Sequence, residues 1–506
     1  MKHAFTVLKS TFCLAISASL IACGSGSSSN TTAAPGNNGG LDCFADGATV
    51  ANTTEGSGIA LFFNAIIYPS NTNTGTPWTF LLPAALDLKG TPNYNYTTCA
   101  AKYDTIINTV IAQDRNRNGT FNEGSNDTYA ALRSAVATST APFVGLDTFY
   151  WAADNLGLSG NTTSLTASAF KSALDTKCAG TVGGLNDNLN TTGVCPNGTY
   201  MHNFLWRKDG LFTNNGNANF VGVQPSGGNP GLTWTRGYLL KAYSNRPSVE
   251  PGVWTAVFDA GSSGTRVSLY HVTPGPKAVV TLQGKTISYK KGDSGINDFM
   301  AGNGWIDPNS FTNKVVPPGC SGTTNLGQDQ VGPCVLQPLL DDVTNLLGVD
   351  VPTAQVKVEL FATAGMRTEE IKNGGAFTSA EIANFYSKMK QYVSSTPIGD
   401  GVVYSNVGQF KTINGNSEEG VWSWINLNDV YYDTFSTYGS CGNNQIGDFE
   451  VGGSSMQVAF PTNAVASDAA NIYNVNINGC SINVYSKTFL GLGGDDARKF
   501  MRAYKY

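Results

Sequence analysis

The chain has 506 residues, of which 41% are hydrophobic and only 13% charged, with a formal net charge of -5. It is too long for one core and has the apolar content for two or three. That balance excludes a nucleic-acid partner held by a basic surface, and Asn, Thr, Ser and Gly fill the places where a cytosolic protein carries charge.

Lys2 and His3 precede an apolar run that closes on Leu20-Ile21-Ala22-Cys23-Gly24. A basic start, a short apolar stretch and small residues read as a secretory signal over 1–23. The Cys after Leu-Ile-Ala resembles a bacterial lipobox, with Cys23 as the lipidation site. Residues 24–40 then read as a flexible Ser/Asn/Gly tether. No later stretch is long and apolar enough to span a membrane. The expected setting is an exported bacterial lipoprotein at the outer membrane or cell surface, or secreted, touching membrane only through the lipid at Cys23.

Export changes the meaning of the cysteines. Cys43, Cys99, Cys178, Cys195, Cys320, Cys334, Cys441 and Cys480 follow the leader. An even set in an oxidising compartment reads as disulfides, and nearest-neighbour pairing gives 43–99, 178–195, 320–334 and 441–480. Only His202 and His271 lie beyond the leader, which argues against a histidine zinc site or a Ser-His-Asp triad. Ala100, Tyr103, Ile106, Ile107, Val110 and Ile111 follow helical spacing and read as a core face. Asp114-Arg115-Asn116-Arg117-Asn118-Gly119 opens like a calcium loop, but Ser125 stands where a bidentate Glu closes one, so it reads as a polar loop. Pro247 and Pro251 mark a short linker over 245–252.

Past residue 250 the pattern changes. A β-rich stretch over 253–258 ends at Asp259, then Gly261, Ser262, Ser263, Gly264, Thr265 and Arg266 lead into a second apolar strand. Such a turn is a nest for phosphate oxygens, and its acid can hold water on a divalent cation. It is equally a Gly/Ser hairpin with an acid at its corner. The pattern recurs as Phe449-Glu450-Val451-Gly452-Gly453-Ser454-Ser455-Met456-Gln457-Val458. Two such hairpins face to face would clamp a phosphate chain from both sides. Between them, a buried strand stops at Thr363-Ala364-Gly365 and presents Arg367, which can hold a phosphate by paired hydrogen bonds. Glu418 and Glu419 precede an aromatic helix; one is a candidate general base, or both are acids placed at a helix N-terminus by its dipole.

These four stretches, in this order, resemble the first four conserved regions of the nucleoside triphosphate diphosphohydrolase (apyrase, ecto-nucleotidase) family. The resemblance extends to the front half. Thr233 to Leu240 is similar to the family's fifth motif, 198–205 to the helix before it, and Phe143 to Trp151 to its FxAFSxFYY segment. The front pieces run in family order yet precede the first motif, so the chain reads as a circular permutant. The implied fold is α/β, two-lobed and actin-like (RNase H-like), with the active site in the interlobe cleft. The implied organisation is lobe II over 41–232, a closing helix and permutation linker over 233–251, lobe I over 252–445, and the start of lobe II over 446–506.

The resemblance implies roles residue by residue. Glu419 is the base that activates water, with Arg367, Gln457 and Thr265 beside it as catalytic residues. Ser262, Ser263, Gly264, Thr265 and Arg266 of the first hairpin, Thr363 and Ala364, and Gly452, Gly453, Ser454 and Ser455 of the second bind phosphates. Asp259 and Glu450 hold Mg²⁺ or Ca²⁺ through water. The substrate is a nucleoside tri- or diphosphate. Glu450 stands where the family has Asp. Val144 and Val194 stand where the family stacks the base between aromatics, leaving Phe143, Tyr150 and Tyr200 as candidates. Weak stacking leaves open a related phosphoanhydride such as inorganic polyphosphate, and beyond that a non-catalytic binding lipoprotein.

Overall fold

The computed structural model describes residues 96–497 apart from short stretches, the longest being 108–127, 180–188, 213–219, 224–232 and 307–316. The leader, the tether, Cys23, Cys43 and the 114–119 loop lie outside the described residues, as do the side chains of Cys178, Val194 and Cys195.

Two mixed sheets organise the chain. In the first, β3 (Val253–Gly261) and β4 (Gly264–Thr273) form an antiparallel hairpin, and the sheet order is β5-β4-β3-β7-β8, where β5 is Val279–Leu282, β7 Val356–Ala362 and β8 Val407–Thr412, with the short β6 (Ile287–Ser288) also pairing β4. β7 runs parallel to both β3 and β8. Both faces of the central strands are covered, so β3 reads as a nearly continuous apolar run, while β7 buries Glu359 by pairing it with Lys357 at 2.8 Å. The hairpin closes at the Gly261–Gly264 pair, and Gly264 takes φ 136°, a conformation that disfavours any side chain.

The second sheet has the order β11-β12-β10-β9-β1-β2. Here β9 (Gly447–Val451) and β10 (Ser455–Pro461) form the second hairpin, and β11 (Ile472–Ile477) and β12 (Cys480–Leu490) extend it on one side. On the other side β1 (Phe143–Asp147) and β2 (Phe220–Val223) come from the front half, and β1 pairs in parallel with β9 over its whole length. One sheet is thus built from segments some 300 residues apart, joined by Phe143↔Gly447 through Asp147↔Val451.

The cores follow the same interleaving. α1 (Thr148–Asn155) and α2 (Leu189–Trp206) pack on the second sheet in a core that joins Phe149, Phe170 and Phe204 to Phe449, Met456 and Phe489. Of the helical face read from the sequence, Ala100, Tyr103 and Ile107 are buried, the last two in this core. A second core fills the outer face of the first sheet, around Phe258, Leu339, Leu360 and Phe385. A third is shared by both sheets and is filled by α3 (Trp234–Tyr243) and α5 (Val421–Tyr432); α4 (Ala364–Glu369) follows β7. α3 is capped by Thr233, whose hydroxyl accepts from the Thr235 amide, and it crosses α5 closely enough that a Cβ on Gly237 would lie 1.9 Å from the Trp422 carbonyl oxygen. Arg236 fastens the crossing through Asp429 at 2.6 Å. Cys320–Cys334 and Cys441–Cys480 are disulfides, as nearest-neighbour pairing expects.

Candidate active site

The first hairpin places Asp259 at the end of β3, buried, with the half-exposed Arg266 opposite it in the ladder and 3.3 Å away. The Ser262–Ser263 turn is backed by two glycines. A Cβ on Gly365 would lie 2.9 Å from Ser262 Cα, and one on Gly295 would lie 2.6 Å from the Gly261 carbonyl oxygen. Both contacts are backbone, so only glycine lets these segments close behind the turn. Thr265 pairs with Ala260, and strand alternation puts that pair on the face opposite Asp259 and Arg266. Its hydroxyl is buried without a partner.

Arg367 joins the two hairpins. β7 ends at Ala362, the Thr363 amide bonds to the Ala260 carbonyl at 3.1 Å, and α4 begins. This brings the Arg367 guanidinium to three acceptors: the Ile413 carbonyl at 3.0 Å, Glu419 Oε2 at 2.6 Å and Ser455 Oγ at 3.1 Å. Glu419 stands on a π-helical turn, Gly415–Gly420, that leads directly into α5. A one-turn π segment inside a helix commonly marks a functional site. Its neighbour Glu418 turns elsewhere, to Lys411 at 2.5 Å and the Asn414 amide at 2.8 Å. The two acids are therefore divided: Glu418 ties the turn together, and Glu419, the one that the family resemblance singles out, meets Arg367.

The second hairpin is held by the segment after β12. The carbonyls of Gly452, Gly453 and Ser454 accept from the amides of Gly494, Asp496 and Gly491 at 2.8, 3.1 and 2.7 Å. In a planar trans peptide the following N–H points the opposite way, so the amides of Gly453, Ser454 and Ser455 face away from that segment. Gly493 allows the approach; a Cβ there would be 2.3 Å from the Gly453 carbonyl oxygen. Gln457 is buried beside Ser455, donating to its hydroxyl at 2.7 Å.

Acids crowd this region. Asp259 is pushed up to about 6 by burial, against Arg266 and with Glu419 and Asp147. Glu450 is pushed well above the carboxylate range by burial and by Asp147, Glu419 and Asp448. Asp448, fully buried one alternation back on β9, is pushed up to about 8 by burial. Asp147 and Asp448 went unnoticed in the sequence. Asp147 ends β1 with φ 55°, an uncommon conformation for a residue with a side chain. An acid at a strand end is the signal that could have singled it out, as it did for Asp259. Among the described residues no three His, Cys, Asp or Glu side chains converge on one ion. Glu450 Oε2 is nonetheless buried without a partner. Separated, mutually repelling carboxylates with an orphaned oxygen suit a hydrated divalent cation, which keeps several of its own waters, better than a closed metal cage.

Two of the expected base-stacking residues are core. Phe143 is fully buried on β1 against Phe212 and Phe460, with ring centroids 5.3 and 5.4 Å away. Tyr200 is buried in α2, its hydroxyl donating to the Leu492 carbonyl at 2.5 Å. Neither can offer a ring face to a ligand. Tyr150, on α1, is partly exposed.

Glu369, at the C-terminal end of α4, is pushed up to about 7 by burial and by Asp298. Its folded pKa lies above its unfolded one, so the native state binds more protons and stability falls as pH rises from about 4.5 to about 7. Glu369→Gln is expected to raise stability by ~1–2 kcal/mol at pH 8 after allowing for partial exposure. The gain should vanish below pH ~4.5. Urea denaturation at both pH values checks this; an equal gain at both would refute it.

A model of the GDA1/CD39 (nucleoside phosphatase) family matches residues 245–505. The chain is 27% identical over 251 residues to nucleoside-triphosphatase ntp-1 of Caenorhabditis elegans, covering 48% of this chain and 39% of that protein. It is 27% identical over 267 residues to human ectonucleoside triphosphate diphosphohydrolase 2, covering 51% and 46%. It spans less than half the length of either relative. A crystal structure of nucleoside triphosphate hydrolases from Neospora caninum aligns at 20% identity and a TM-score of 0.33 over 49% of this chain and 46% of that one.

Proposed function

The chain belongs to the GDA1/CD39 (nucleoside phosphatase) family, and from that premise we propose that it hydrolyses the terminal phosphoanhydride of nucleoside tri- and diphosphates between its two hairpins. The observation that carries this is the Arg367 fork, which holds Glu419 at 2.6 Å and Ser455 at 3.1 Å. A carboxylate base, a cationic clamp and a hydroxyl from the second hairpin meet at one guanidinium.

Glu419 takes a proton from water as the water oxygen bonds to the terminal phosphorus. The bond from phosphorus to the bridging oxygen breaks, and the shortened nucleotide leaves with the electron pair on its own terminal oxygen. Arg367, the Ser262–Ser263 turn and the amides of Gly453 to Ser455 offset charge on the phosphate oxygens. Gln457 helps place the water. Asp259 and Glu450, with Asp147 beside them, would hold Mg²⁺ or Ca²⁺. When bound, the ion neutralises charge on the phosphates.

The burial of Phe143 and Tyr200 favours a second reading, a phosphoanhydride without a base, such as inorganic polyphosphate. The test is phosphate release by the full chain from ATP, ADP and polyphosphate, with Mg²⁺, Ca²⁺ or a chelator. Release from ATP and ADP that stops with the chelator is expected. Release from polyphosphate alone would replace the nucleotidase reading with the second one, and no release from folded protein would remove both.

We also read the chain as circularly permuted and exported. The family match begins at 245, while β1, β2 and α3 lie before it and complete the second sheet and the shared core; that interleaving supports permutation. The two disulfides support an oxidising compartment, consistent with lipidation at Cys23.

A further inference from the structure

Gln457 lies directly opposite Thr488 in the β10–β12 ladder. Both hydrogens on its amide nitrogen are committed, one to Ser455 Oγ at 2.7 Å and one to Thr488 Oγ1 at 3.1 Å. Thr488 gives its own hydroxyl hydrogen to the Met456 carbonyl at 3.3 Å. A hydroxyl whose hydrogen is spent can only accept, so Thr488 takes the nitrogen end of the Gln457 amide. A flipped amide would set Oε1 against a hydroxyl with nothing to donate. Oε1 is thereby left as the accepting end of the side chain. Ser455 Oγ accepts from Arg367 as well as from Gln457, so its own hydrogen is available to a ligand oxygen.

Thr488 also touches the element that carries Glu419. Its amide donates to Asn416 Oδ1 at 2.8 Å, and Asn416 lies in the π-helical turn. Gly415 packs so tightly on it that a Cβ would be 2.3 Å from Thr488 Cγ2. Ser486, two residues back on the same face, donates to the Asn416 carbonyl at 2.8 Å. One residue of β12 thus fixes both the Gln457 side chain and the turn that bears Glu419.

We propose that Thr488 is a positioning residue for hydrolysis: it locks the Gln457 amide so that Oε1 and the Glu419 carboxylate hold the attacking water together. This rests on the proposed function. The test is steady-state ATP hydrolysis with Mg²⁺ by wild type, Thr488→Val, Thr488→Ser, Gln457→Ala and the Gln457→Ala/Thr488→Val double variant, with a thermal melt of each. Valine keeps the shape and loses the hydroxyl; serine keeps the hydroxyl. Thr488→Val is expected to lower kcat about 10- to 100-fold with KM nearly unchanged. Serine should restore most of kcat, and the double variant should be no slower than Gln457→Ala. Should Thr488→Val melt near the assay temperature, Thr488→Ala against Thr488→Ser makes the same comparison. Multiplying penalties, a serine variant as slow as valine, or full activity in Thr488→Val would overturn the inference. A wild type that releases no phosphate removes the nucleotidase reading first and this inference with it.

Discussion

Glu419→Gln should lower kcat for phosphate release from ATP by about 10³-fold, the scale of a lost general base, while the protein stays folded. Glutamine keeps the volume of the side chain and its place beside Arg367 but cannot accept a proton from water. The fold should tolerate it for an electrostatic reason. Asp259 and Glu450 both feel Glu419 as a like charge, so removing that charge relieves repulsion among buried acids even as it weakens the Arg367 pair. Thermal melting within a few degrees of wild type is therefore expected beside the collapse in kcat. The neighbouring residue is the control. Glu418 bonds to Lys411 and to the Asn414 amide, inside its own segment. Glu418→Gln should cost some stability of the turn and leave kcat within a few-fold. If the two variants behave alike, or if Glu419→Gln keeps a tenth of wild-type kcat, Glu419 is not the base.

What the sequence made legible was chemistry carried by loops. Asp259, the Gly/Ser turns, Arg367 and the Glu418–Glu419 pair stand out because a strand that stops at an acid or an arginine has no packing reason to do so. The two-lobed α/β architecture was implied by the family resemblance that these same motifs carry. Partners supplied by strand pairing were not legible. Thr488 reads as one more β-branched residue in an eleven-residue strand, and only the register that sets it opposite Gln457 gives it a task. Asp147 comes from a strand that pairs with β9 across some 300 residues of chain, so sequence distance hides it from Glu450, whereas Asp448 shares β9 with Glu450, two residues back on the same face. The aromatic candidates failed for the converse reason. Phe143 and Tyr200 have the same local pattern whether they fill a core or face a ligand, and burial decides between the two.

Arg367 is the second residue whose loss should be felt most, and in two ways at once. Its planar fork reaches the Ile413 carbonyl, Glu419 and Ser455 simultaneously. Lysine offers a point charge on a flexible stem and cannot span those directions. Arg367→Lys should therefore lose about 10²-fold in kcat/KM, and Arg367→Ala about 10³-fold. Alanine should also destabilise the protein. Glu419 is buried, and removing the partner of a buried charge typically costs ~3–5 kcal/mol because the remaining charge is left uncompensated. This makes the stability loss reversible by a second change. Arg367→Ala/Glu419→Gln should melt above Arg367→Ala, because the unpaired carboxylate is gone, while showing no more activity than Glu419→Gln alone. Phosphate release and thermal melting on wild type and these four variants separate the two roles. If the double variant melts no higher than Arg367→Ala, the pair does not stabilise the cleft. If Arg367→Lys turns over like wild type, the fork is not the clamp, and the phosphate is held by the hairpin amides.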